Sequence, residues 1–196
     1  MMTIMRRVTT LSGSAWRLVA ALLLVFSAFL ATASADEAKD REALDALFAE
    51  LRVAPDAATA HSIDQKIWIY WTFPSEPILA GRMTEVMTAR RVGDLTGAIA
   101  LLDKLVVDYP DYAEGWNQRA TMYYAVGNFD ASIADCAKVL ALEPRHFGAL
   151  SGRALMYLAL GKRALALKDM AAALAVHPFL NERQLFPELS QDMTRV

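Results

Sequence analysis

An all-α solenoid of paired helices is the fold class this sequence predicts. Gly93-Asp94, Gly127-Asn128 and Gly161-Lys162 recur at intervals of 34 residues, as do Pro110, Pro144 and Pro178. Between these marks the apolar residues keep helical spacing, and small residues (Ala98, Ser132, Ala166) recur at one position. A small side chain there lets the two helices of a hairpin approach closely.

The 196-residue chain opens unlike the rest. Arg6, Arg7 and Arg17 precede the uncharged run Leu18–Leu30, and Ala33 and Ala35 stand before Asp36-Glu37. Charge, a short apolar core and an A-x-A site predict a cleavable signal peptide over 1–35. Export by the general secretory route to the periplasm follows, since Val8-Thr9-Thr10 gives no support to a twin-arginine signal. The competing expectation is an inner-membrane anchor formed by residues 18–35, at the low edge of a bilayer span. Contact with a membrane is expected only in that uncleaved form. The remainder, 36–196, keeps all 22 acidic residues and 17 of the 20 basic ones, a formal charge of −5. With no dense basic cluster, nucleic acid is not an expected partner. Cys136 is the one cysteine, so no internal disulfide forms, and its place on an apolar helix face predicts a small core residue.

In order, 36–77 predicts a helical hairpin that caps the array. Leu44, Leu47, Phe48 and Leu51 form one stripe, and Ile63, Ile67, Tyr70 and Trp71 a second. A solenoid end needs such a cover, and Trp68, Tyr70, Trp71 and Phe73 are expected to pack there. Thr72–Pro77 carries two prolines and predicts an extended connection. Three repeats follow over 78–180, at 79–112, 113–146 and 147–180. In each, a glycine closes the first helix and a proline stops the second. The tail, 181–196, predicts a capping helix starting near Pro187 and presenting Leu189, with Leu185 and Phe186 just before it.

A 34-residue helix–turn–helix with this spacing resembles the tetratricopeptide repeat. Trp116, Ala120, Tyr123, Gly127, Phe129, Ser132, Val139 and Pro144 stand at signature positions of the second repeat. Ala154, Tyr157, Gly161, Ala166, Ala173 and Pro178 do so in the third. The first copy departs, with Arg82 where Trp116 stands. The whole chain also looks like small exported tetratricopeptide proteins of Gram-negative bacteria. The resemblance implies a right-handed superhelix whose first helices line a concave groove for peptides or partner helices. It implies a scaffold rather than an enzyme.

Arg90, Arg91, Asn117, Thr121, Tyr124 and Ser151 are the groove candidates. Asn and Thr suit a peptide backbone, Tyr an apolar contact with a polar tip, and Arg a carboxylate. Some members of the family grip a C-terminal carboxylate through a Lys/Asn/Asn/Lys/Arg set. The matching positions here are Met83, Met87, Gln118, Gly148 and Gly152, none of which matches. That excludes a carboxylate clamp and leaves a more apolar groove. Arg119 and Asp135 stand eight residues either side of Gly127, and Arg153 and Asp169 eight either side of Gly161. This placement predicts structural ion pairs across each hairpin. His61, His146 and His177 lack metal-ligand spacing, so no metal is expected. No nucleophile, phosphate-loop or zinc-protease motif occurs, and no cofactor is expected. The chain is therefore expected to be an exported scaffold that binds a protein or peptide in its groove. The alternative is a structural subunit of the cell envelope that packs through its outer face or ends as a homo-oligomer.

Overall fold

The computed structural model describes residues 38–190. Residues 1–35, expected to form a signal peptide, and residues 191–196 lie outside them. The chain divides into two units, 1–40 and 41–196. The smaller unit contributes only residues 38–40 to the described part, all helical.

In the larger unit, helix α1 covers 41–52. It is followed by α2 (Ala57–Thr72), α3 (Pro77–Arg91), α4 (Leu95–Asp108), α5 (Ala113–Ala125), α6 (Phe129–Leu142), α7 (Phe147–Ala159) and α8 (Arg163–Val176). The described residues contain no strand. The fold is an all-α solenoid: α3–α4, α5–α6 and α7–α8 are its three helix pairs.

The three glycines account for the tight turns. Gly93, Gly127 and Gly161 have φ of 79°, 76° and 70°, a region costly for residues with a Cβ. At each turn the next N–H reaches five residues back: Asp94 to Ala89, Asn128 to Tyr123, and Lys162 to Tyr157. These bonds satisfy carbonyls that the ending helix leaves open. Asp94 and Asn128 then start the following helix, accepting the N–H of Gly97 at 2.8 Å and of Ala131 at 3.3 Å. One dipeptide thus closes one helix and opens the next.

Within pairs, Ala98 and Ala166 are fully buried. At the same position Ser132 donates to the Ala120 carbonyl at 2.6 Å, so its hydroxyl is satisfied in the α5–α6 contact. The connection before α3 is shorter than the expected Thr72–Pro77: Thr72 belongs to α2 and Pro77 opens α3. The Glu76 carboxylate caps α3, accepting from the N–H groups of Ile78 and Leu79. Proline fits the first helical turn because no N–H is needed there.

Two expectations need correction. The tail forms no continuous capping helix over its described residues, 181–190. It makes two 3₁₀ turns, Asn181–Leu185 and Pro187–Ser190, with Phe186 fully buried between them. Pro187 removes a donor and disfavours helical backbone at Phe186, so the segment splits there. Phe186 instead plugs the core of Leu150, Ala154, Met170 and Ala173. The second correction concerns the α1–α2 hairpin. Its core of Phe48, Leu51, Ile63, Ile67 and Trp71 closes over Phe147, with Val176, Phe179 and Leu180 alongside. The hairpin therefore lies over the second and third repeats and is not an end cap on the first.

Candidate interaction groove

Helix α2 lies against the first helices of the last two pairs, and its contacts can be read along its length. Near its C-terminus the Tyr112 hydroxyl donates to the Trp71 carbonyl. Burial pushes the Tyr112 phenol up, so it remains a donor. The Trp71 indole stacks on His146 at 3.9 Å. One turn back, Trp68 meets His146 and Phe147 edge-on, at 5.6 Å and 5.5 Å. Gly148 is small because of this ring: a Cβ there would stand 2.7 Å from the Trp68 ring edge. One further turn back, Asp64 accepts from His177 at 3.1 Å. From α1, Asp45 receives Arg145 at 2.6 Å, and the Arg145 guanidinium lies 4.3 Å from the Phe48 ring centroid.

Beneath α2 sits a buried polar cluster. Glu114 and His146 are 1% and 0% exposed. Burial of that depth is tolerated only when every polar atom has a partner. Glu114 accepts from Asn117 at 3.0 Å and from Gln118 and His146. His146 Nδ1 accepts the Ala149 N–H at 3.1 Å, which places the ring proton on Nε2, facing Glu114. His177 repeats the arrangement: Nδ1 accepts from Phe179, and Nε2 faces Asp64. Both histidines find acidic partners on other helices, which their spacing in the sequence does not reveal. Both rings are fully engaged, and the described residues hold no group of three metal-ligating side chains.

The groove candidates fall into two groups. Asn117 and Ser151 are 7% and 5% exposed and are correspondingly unavailable. Asn117 is bound to Glu114, and Ser151 donates to the Gly148 carbonyl at 3.4 Å. They face the interior because α2 covers this part of the first-helix surface. Arg90, Arg91 and Tyr124 remain exposed, and Thr121 is half-buried, donating to the Asn117 carbonyl. Arg90 also reaches Gln118 at 3.2 Å. The surface left open is the C-terminal half of α3 and α5.

Among the positions matching the carboxylate clamp, Met83 is fully buried, Gln118 is held by Glu114 and Arg90, and Gly148 lies under Trp68. The helix α2 thus occupies part of the place such a ligand would take.

Arg119 forms two parallel bonds to Asp135, at 2.7 and 2.8 Å, and Arg153 two to Asp169, at 2.6 and 2.9 Å. These join α5 to α6 and α7 to α8. Arg119 also reaches Asp103 on α4 at 2.9 Å and lies over the Trp116 ring. Both charges of each pair are consumed within the fold. Cys136 is buried, and burial pushes its thiol up to about 12, so it is no nucleophile at neutral pH.

No family model matches the chain. A TPR repeat-containing protein of Rhizobium etli is 34% identical over 92 residues, 47% of this chain and 45% of that relative. The chain thus matches less than half the length of this curated relative. Among solved structures, the first TPR domain of Spaghetti (RPAP3), bound to the HSP90 peptide SRMEEVD, superposes with a TM-score of 0.54 at 23% identity. It covers 59% of this chain and 93% of that one. The TPR2B domain of yeast Sti1 in its pHsp70 complex gives 0.50 at 23% identity, covering 58% and 90%. These likenesses establish the fold: the helix pairs superpose on those of tetratricopeptide-repeat domains.

Proposed function

We propose that this chain, a solenoid of tetratricopeptide repeats, is an exported protein-interaction module. The observation that carries the reading is the division of its first-helix surface. One part is filled by the chain's own α2, and the other presents Arg90, Arg91 and Tyr124. A filled groove fixes where a partner docks, because α2 is not easily displaced. Its hairpin buries Phe48, Leu51, Ile63, Ile67 and Trp71. At about 1.5–3 kcal/mol for each large apolar side chain, gross burial is on the order of 10 kcal/mol. With that much apolar surface built into one core, α2 is a constituent of the fold rather than a stand-in ligand. The two solved relatives are held with peptides or partner segments, which supports a peptide or protein as the ligand here. The acidic residues of SRMEEVD require donors that the clamp positions of this chain lack, so an acidic C-terminal ligand is not the one proposed.

Export rests on the pattern at 1–35, with the periplasm as the destination. Among the described residues no helix is long and apolar enough to cross a membrane. Crosslinking in the native compartment tests the reading. A captured partner should be lost or reduced with Tyr124→Ala and with the Arg90→Ala/Arg91→Ala double variant. Capture unaffected by either would contradict it.

A second reading, an assembly subunit, is favoured by one observation. Val92, Val126 and Leu160 precede the three turn glycines and are 72%, 50% and 40% exposed. This apolar row recurs along one edge of the array and suits packing against another chain. Light scattering across protein concentration tests it. A concentration-dependent oligomer dispersed by Val92→Ser with Val126→Ser supports self-assembly, and a monomer at every concentration removes it.

A further inference from the structure

We propose that the cleft between α2, the start of α7 and the turn at 177–182 binds a cationic side chain, a lysine or arginine of an extended partner segment. The proposal rests on the protein-interaction reading above and names a subsite that this reading does not use. The cleft holds about 470 Å³, and its walls separate by chemistry. Trp68, Phe147 and Phe179 supply apolar and aromatic surface, and Asp64 and Glu182 supply carboxylates.

Charge decides the occupant. Among the described residues no lysine or arginine lines the cleft, and Arg183, next to Glu182 in sequence, does not reach it. Its two histidines are already engaged: His177 faces Asp64 through Nε2, and His61 meets Gln65 through Nε2. Glu182 makes no hydrogen bond or ion pair among the described residues. Asp64 accepts from His177 through one oxygen, while its other lies 3.5 Å from His61. A carboxylate offers about four lone-pair sites, so acceptor capacity remains. A cationic head on an aliphatic stem matches both wall types, with the stem against the rings and the head at the carboxylates. An anionic segment meets like charge at the same place and is disfavoured.

The test is a nuclear magnetic resonance titration of the full chain at low salt with Ac-Ala-Lys-Ala-Lys-Ala-NH2 and its glutamate counterpart. The lysine peptide should move the Trp68 indole N–H and the amides of Gly148, Ser151 and Asn181. The glutamate peptide should not. Glu182→Gln, which disturbs no contact of the fold, should weaken the lysine peptide by about 3-fold, as for a part-exposed charge contact. Added salt should weaken it further, and Tyr124→Ala should leave it unchanged. No shift at these four groups, equal shifts with both peptides, or indifference to Glu182→Gln would overturn the proposal. The two readings separate cleanly. A partner captured through Tyr124 with no lysine-peptide response removes the cleft alone. A cleft response with no captured partner removes the broader reading.

Discussion

The Trp71 indole lies flat on the His146 imidazole, with ring centroids 3.9 Å apart and planes 5° from parallel. This contact joins the α1–α2 hairpin to the second helix pair's buried carboxylate, because His146 also bonds Glu114. Trp71→Ala should cost about 3–5 kcal/mol, the range for removing a buried aromatic. His146→Ala should cost about 1–3 kcal/mol by leaving Glu114 buried without one of its donors. The double variant should lose less than the two added together, because they share one interface. Urea unfolding of the four chains measures this. Simple additivity would show that the stack and the carboxylate bond are independent.

Two glycines of α7 give opposite expectations. At Gly148 a Cβ would meet the Trp68 ring at 2.7 and 2.9 Å, and at Gly152 nothing lies within 4 Å. Trp68 is held by Trp71, His146 and Phe147, so it has little room to yield. Gly148→Ala should therefore destabilise by about 1–3 kcal/mol, as overpacking does. Gly152→Ala should stabilise by about 0.5–1 kcal/mol, the gain in helix propensity. Thermal unfolding of both variants checks the pair of signs.

The punctuation of the repeats was legible because backbone rules dictate it. A glycine free to take positive φ and a proline without an N–H act on their immediate neighbours, so residues 34 apart announce the same turn three times. The positions of Arg119 and Asp135 were legible for a related reason: two residues equidistant from a hairpin turn face each other. The hairpin's seat was not legible. Trp68 over Gly148 is a match of shapes between residues 80 apart, and no local period reports it. The only trace was a glycine in the first turn of a helix, where alanine would ordinarily serve better. Glu114 with His146 and Asp64 with His177 were hidden similarly, since a charged residue destined for burial looks like any solvated one. Asn117 and Ser151 looked like groove residues because their helix position is right, and α2 then covered them.

The two bidentate pairs differ in what remains after a deletion. Asp135→Ala leaves Arg119 with Asp103, whereas Asp169→Ala leaves Arg153 without a carboxylate among the described residues. Asp169→Ala should therefore cost more, by about 1 kcal/mol, the size of one charge-assisted bond on a part-buried arginine. Denaturant midpoints of the two variants measure the difference. Equal losses would mean that Asp103 contributes nothing.

Acid should loosen the junction ahead of α7. Burial alone would raise the Glu143 carboxyl, but the side-chain and backbone hydrogen bonds of Arg145 outweigh it and hold the group below its usual 4.5. A carboxylate with a depressed folded value adds stability above its unfolded pKa and loses it as pH falls through the folded value. Glu143→Gln should then be less stable than the native chain at pH 7, by about 1–2 kcal/mol. The two stability curves should converge as pH drops below 4.5. Curves that stay parallel through the acid range would remove the linkage.

Native-state hydrogen exchange is the most direct test of α2 as a fixed part of the first-helix surface. Amides in the middle of α2, from Ile63 to Ile67, should exchange with the same opening free energy and denaturant dependence as those of α5 and α7. That result means the groove is filled whenever the chain is folded. Exchange of α2 through a smaller, separate opening, with α5 and α7 still protected, would contradict it and show a groove that empties in the folded protein.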